Sequence, residues 1–184
     1  MRKGATPNEW TVSEERFLIE NAGRIPKRDI CKALKRSSTS MRGKAQDLRR
    51  HGVAVDLRCY VSHLEPCPAC GNMSGKLGKH GICEPCRRRE QLATIHARIA
   101  ELWPLLSVEE RDTYEKTEAE TESSRDPYPP APDTRGLSYY SRARAEEAHA
   151  LACEAVLVRN LRREVKAAQK RKERIEKKNQ INVI

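Results

Sequence analysis

The segment CPACGNMSGKLGKHGICEPC, Cys67 to Cys86, holds four of the chain's seven cysteines as two C-x-x-C pairs. Each pair sets two thiolates on one tight turn, and two such turns complete a tetrahedral shell of four sulfurs around one ion. The spacing predicts that Cys67, Cys70, Cys83 and Cys86 hold a single structural Zn2+; an iron–sulfur cluster or a redox dithiol is the rarer use of the pattern. Gly71, Gly75, Gly78 and Gly81 suit the knuckle and the hairpin between the pairs. A shell of four thiolates is closed, so it leaves no position for a catalytic water. His63 and His80 fit solvent-facing loops, and Cys31, Cys59 and Cys153 fit buried faces as small apolar side chains.

Composition explains the need for such a clasp. Of 184 residues only 38% are hydrophobic and 4% aromatic, while 34% are charged, which argues against one large core and for small helical units. Zinc binding contributes ~10 kcal/mol or more in small domains and can substitute for missing apolar burial. No apolar run approaches the ~20 residues that span a bilayer, and MRKGATPNEW lacks the apolar stretch of a secretory signal. The expectation is no membrane partner and a cytoplasmic location, in a bacterial cytoplasm or nucleoid, where thiols stay reduced.

The net charge of +10 and a pI near 9.4 make a polyanion the first partner to consider. The charge is uneven: net +7 over residues 1–58, +2 over 59–91, −5 over 92–136 and +6 over 137–184. This places a polyanion at the ends and leaves the middle for spacing or for a basic partner. There is no internal repeat, and strand signals are sparse apart from GVAVDLRCYV (Gly52 to Val61) and short strands around the cysteine pairs.

Three short helices are predicted before the cysteines. Thr11 with Glu14 forms a capping box, Phe17 and Leu18 face inward with Trp10, and Gly23 ends the first helix. Pro26 opens a second helix with Ile30 and Leu34 buried. After a turn at Arg36 to Ser40, Met41, Ala45 and Leu48 mark the buried face of a third. At 100° per residue the opposite face carries Thr39, Gly43, Gln46 and Arg50, flanked by Arg42 and Arg49. Such a face suits a major groove: glycine permits close approach, an amide pairs with adenine, and guanidiniums reach guanine or phosphate.

The runs W-T-x-x-E-E-x-F-L, P-x-x-x-I-x-x-x-L-x-R-S and S-x-R-x-K-A-x-x-L-R resemble the Myb/SANT-like helix-turn-helix of bacterial and phage DNA-binding proteins, over about residues 8–52. The resemblance implies that the third helix reads DNA through Ser40, Arg42, Gly43, Lys44 and Gln46. Ile30 and Leu48 stand where eukaryotic repeats carry later aromatics, which relates the chain to the shorter prokaryotic form. C-P-x-C-G followed by G-x-C-x-x-C-R-R-R is similar to a zinc ribbon or treble-clef knuckle, a module that binds DNA, RNA or protein in different families.

Beyond the cysteines, Leu92, Ile95, Ile99, Leu102 and Leu106 alternate steps of three and four, the seam of a short coiled coil. An acidic helical stretch from Ser107 gives way to the proline-rich TESSRDPYPPAPDTRG. A second long helix runs from about Ser141 to Lys178, with Leu151, Val158 and Val165 on one seam and Leu161, Ala168 and Ile175 on the offset one. The expected arrangement is an antiparallel hairpin whose longer arm leaves Lys166 to Lys178 as an unpaired basic overhang. Arg87 and Arg88 at the zinc module, and Lys170, Arg171, Lys172 and Arg174 on the overhang, are candidate phosphate or partner contacts.

The expected fold is therefore mainly α: a three-helix unit over 1–56, a four-cysteine zinc module with short β-strands over 57–90, a hairpin helix with acidic extension over 91–120, a linker over 121–140, and a long basic helix over 141–184. The expected function is sequence-specific binding of double-stranded DNA by a bacterial or phage transcription regulator, through Thr39, Ser40, Arg42, Gly43, Lys44, Gln46, Arg49 and Arg50. The hairpin would form a homodimer or contact RNA polymerase. The alternative is a phage protein-interaction factor that binds and inhibits or redirects a host enzyme such as RNA polymerase, without reading DNA. No His-Asn-His cluster, grouped carboxylates or phosphate-cradling glycine loop points to an enzyme.

Overall fold

The computed structural model describes residues 9–181, with side chains as far as Lys178. Residues 1–8, the start of the stretch weighed as a secretory signal, lie outside the described residues. The chain is mainly helical. Its elements are α1 (Val12–Asn21), α2 (Lys27–Leu34), α3 (Ser38–Arg50), β1 (Glu65–Pro66), β2 (Met73–Ser74), α4 (Glu84–Leu102), α5 (Val108–Ser123) and α6 (Tyr139–Ile181). Two units result, Met1–Ser62 with Ala131–Ala148, and His63–Pro130 with His149–Ile184.

In the first unit the Thr11 side chain accepts from the Glu14 N–H at 3.3 Å while the Glu14 carboxylate accepts from the Thr11 N–H at 2.8 Å. This satisfies two N–H groups that a helix start leaves without partners. The same carboxylate takes a two-pronged bond from Arg36, at 3.0 and 3.1 Å, and the guanidinium lies 5.2 Å from the Trp10 ring centre. One side chain thus ties the turn between α2 and α3 to the start of α1. Leu18, Ala22, Ile30, Met41, Ala45 and Leu48 form the core, with Trp10, Phe17 and Leu34 packed around it.

The expected strand over Gly52 to Val61 is not formed. Val55 drops into the helical core, and the Tyr60 N–H donates to the Gly23 carbonyl at 2.8 Å. With no neighbouring strand among the described residues to complete a ladder, the segment's alternation serves core filling instead. Gly23, at φ +86°, is buried where an added Cβ would stand 3.0 Å from the Tyr140 nitrogen and 3.1 Å from the Tyr139 ring. Arg24 lies over Tyr139 and Arg58 over Tyr140, each 4.3 Å from the ring centre. The first turn of α6 is therefore part of this unit.

In the second unit the expected antiparallel hairpin is replaced by three helices. Arg162 of α6 pairs with Glu84 at the start of α4 (3.3 Å), and Glu176 of α6 pairs with Arg98 further along α4 (3.3 Å), so α4 and α6 run parallel. The reverse leg is α5: Glu110 near its start meets Lys178, and Arg125 just past its end meets Glu164 at 2.7 Å. The acidic stretch is thus a packed helix that covers the basic one. Ile99, Leu102, Leu106 and Ile175 form the core, with Ile95, Trp103 and Tyr114 against it. Of the two seams on α6, Leu161, Ala168 and Ile175 are buried whereas Leu151 is exposed.

Lys166 to Lys178 is consequently no unpaired overhang. Its Arg171 is buried, donating to the Thr117 carbonyl at 3.3 Å and the Thr121 hydroxyl at 3.2 Å, with its guanidinium 5.0 Å from the Tyr114 ring centre. Buried Asn160 pins the other end of α5, accepting from the Asp126 N–H at 2.9 Å and donating to the Asp126 carbonyl at 3.0 Å.

Two measurements check these packings. The Arg36 guanidinium and the Thr11 N–H hold the Glu14 carboxyl down at about 2, from 4.5. Its contribution is therefore complete above pH 4.5 and lost as pH falls towards 2. Glu14→Gln should lower the thermal midpoint at pH 7, and the gap to the parent should close between those pH values. Ile99→Ala should destabilise the bundle by about 2–5 kcal/mol in chemical denaturation, as a buried aliphatic truncation does.

Candidate metal centre and candidate nucleic-acid interface

The two short strands pair antiparallel, Glu65 with Ser74 and Pro66 with Met73, and the knuckle between them carries Cys67 and Cys70. The Cys67 N–H donates to the Asn72 carbonyl at 2.9 Å and the Gly71 N–H to the Cys67 carbonyl at 2.7 Å. Gly71 stands at φ +72°, the left-handed turn that lets the chain reverse behind the second thiol. The other pair comes from a helix start: Cys83 is the N-cap of α4, Cys86 lies in its first turn, and Pro85 favours that position.

All four sulfurs lie within 4.8 Å of one another, and Cys70 Sγ to Cys83 Sγ is 3.8 Å. A tetrahedron with 2.3 Å metal–sulfur arms has edges of about 3.8 Å, so the donor set fits one metal ion. Cys67, Cys83 and Cys86 are buried. The Cys83 N–H donates to Cys67 Sγ at 3.3 Å; that bond, helped by the Ala69 and Cys70 amides, brings the Cys67 thiol down to about 6. Burial raises Cys83 and pushes Cys86 up to about 12, with Cys70 adding to the latter. Crowded, desolvated sulfurs cannot all ionise unaided, and a cation held between them would supply the opposing charge. His80 is exposed, as expected.

The module's outer support was not legible in the sequence. Ser74 is fully buried and its hydroxyl donates to the Glu154 carboxylate of α6, which also accepts from the Gly75 N–H at 3.1 Å. A Cβ on Gly75 would meet Leu151 Cδ2 at 2.4 Å. These contacts join residues far apart in sequence, and no local pattern announces them.

On α3, Thr39, Arg42, Gly43, Gln46, Arg49 and Arg50 are exposed, opposite buried Met41, Ala45 and Leu48. Nothing lies within 4 Å of a Cβ built on Gly43. Ser37 caps the helix by accepting from the Ser40 N–H at 3.1 Å. Two expected contacts are drawn inward: Lys44 is ion-paired with Glu15 of α1, and Arg49 donates to the Val55 carbonyl at 3.3 Å. Arg42 and Arg49 line a hollow of about 300 Å3 together with Lys27 and Arg58, cations the helical pattern alone did not single out. Asp56 also lines it and is held low by its bonds from Arg58.

Among the remaining candidates, Arg87 and Arg88 both pair with Glu84, and Lys170 and Arg174 are exposed. Arg171 is corrected: its burial against α5 removes it from the surface. No helix among the described residues is long and apolar enough to cross a membrane. No protein-family model, curated protein or solved structure matches the chain.

Metal analysis should give one equivalent per chain. Replacing Cys67 and Cys83 by Ser should abolish it and lower the melting temperature of the second unit, which chelator treatment of the parent should reproduce.

Proposed function

We propose that the protein binds double-stranded DNA in a sequence-dependent way through α3 and acts as a transcription regulator. The observation that carries this reading is the exposed row Thr39, Arg42, Gly43, Gln46 and Arg50 on a helix whose other face is locked into a core. Gly43 allows the backbone to approach the floor of a major groove, Gln46 pairs with adenine, and Arg42 and Arg50 take guanine or phosphate. Lys27 and Arg58, beside Arg42, extend the positive charge towards the flanking backbone. Lys44 and Arg49 serve mainly to hold α3 in place.

The ion of the four-cysteine site is zinc in this reading, with a structural role. The second sulfur pair on a helix start favours the treble-clef form of the resemblance over the ribbon. One short helix reads few base pairs, so tight binding calls for a second copy of the chain or a partner such as RNA polymerase.

Selection from a random duplex pool should yield a preferred site. Arg42→Ala with Gln46→Ala should weaken binding to that site by about thirtyfold or more, because each of the two base contacts is worth about 1–3 kcal/mol. Binding to unrelated duplex should fall much less. Unchanged preference in the double variant would overturn the assignment.

A further inference from the structure

A groove of about 560 Å3 follows the seam where α4 and α6 run side by side in the second unit. Arg88 of α4 and Arg162, Lys166 and Lys172 of α6 line it, with Gln91 and Gln169, and no carboxylate does. The acids nearby are largely committed. Glu84 serves Arg88 at 2.8 Å, Arg162 at 3.3 Å and Arg87 as well, three guanidiniums to one carboxylate. Glu173, beside the groove, accepts from Gln169 at 2.8 Å. Among the described residues, no acid forms an ion pair with Lys166 or Lys172.

This excess follows from how α5 packs. Its acids, with Asp126 just beyond it, neutralise Lys178, Arg171, Arg159 and Arg163. Lys166 and Lys172 have no such cover, and Arg88 and Arg162 share the single Glu84 carboxylate. Holding uncompensated positive charge along a groove costs repulsion, which a bound polyanion relieves while releasing its counterions.

We propose that this groove binds the sugar–phosphate backbone of a nucleic acid, at a site separate from α3. Arg162 to Lys172 spans about 15 Å at 1.5 Å per residue, the axial length over which one strand presents about four phosphates at 3.4 Å spacing. The Gln91 carbonyl is held by Arg88 at 2.9 Å, which leaves its amide hydrogens to donate to a phosphate oxygen. The site carries no array of base-edge readers, so it adds affinity without sequence preference.

The full chain tests this with Arg42→Ala and Gln46→Ala already in place, so that α3 reading is disabled. Binding of a random-sequence duplex and of a single strand is measured against salt. Adding Lys166→Gln and Lys172→Gln should lower the magnitude of the log–log salt slope by about 1.8 for duplex or about 1.4 for a single strand, two phosphate contacts at about 0.9 or 0.7 each. Whichever probe shows the change identifies the ligand. Lys166→Arg with Lys172→Arg should keep the parent slope. Unchanged slopes for both probes overturn the proposal, as does loss of poly-glutamate capture without a change in either slope, which would make the groove a protein-docking surface. Sequence preference is read separately in the chain with native lysines, so failure of the α3 assignment and failure of the groove give different results.

Discussion

Four sulfurs held within 4.8 Å of one another are the constraint on which the second unit is built. Two strands of two residues each cannot persist alone, since even a full hairpin is marginal in water. The knuckle gains its anchorage from Cys67 and Cys70, and the helix gains its starting point from Cys83 and Cys86. Because Cys83 is the N-cap, the phase of α4 is set there, and Ile99 and Leu102 then arrive on the face that meets α6. A metal ion held by these sulfurs would thereby fix a helix register that so few apolar residues would leave loose.

Charge decides the rest of the bundle. The −5 segment over 92–136 and the +6 segment over 137–184 are packed against each other, as α5 against α6, along a row of ion pairs from Glu110 with Lys178 to Asp126 with Arg163. Exposed pairs of this kind add little each. Their value is in selecting one alignment, which two buried polar residues of α6 then enforce: Arg171 donates through one terminal nitrogen to Thr117 and Thr121, and Asn160 exchanges hydrogen bonds with the Asp126 backbone.

What was legible in the sequence is what local chemistry controls. The capping box at Thr11, the inward faces of α1 to α3 and the cysteine quartet are set by residues a few positions apart, and each appears where its spacing places it. The misreadings share one cause. A seven-residue seam on α6 states which side is apolar but not the direction of the neighbour, and the acidic helical stretch from Ser107 carries too few apolar residues to announce that it packs against α6. Val55, Glu154 and the Tyr139–Tyr140 pair depend on contacts across long stretches of chain. Lys44 entered the DNA-contact set through the family resemblance, although its ammonium belongs to Glu15.

Gly23 is confined twice over, by a backbone angle that favours glycine and by the Tyr139 ring and Tyr140 nitrogen pressed against the space a methyl would fill. Change here requires simultaneous revision of two distant segments. Descendants and cousins of this protein should thus keep a glycine at the end of the first helix in step with an aromatic doublet opening the last. That covarying signature would betray kinship after overall identity has faded.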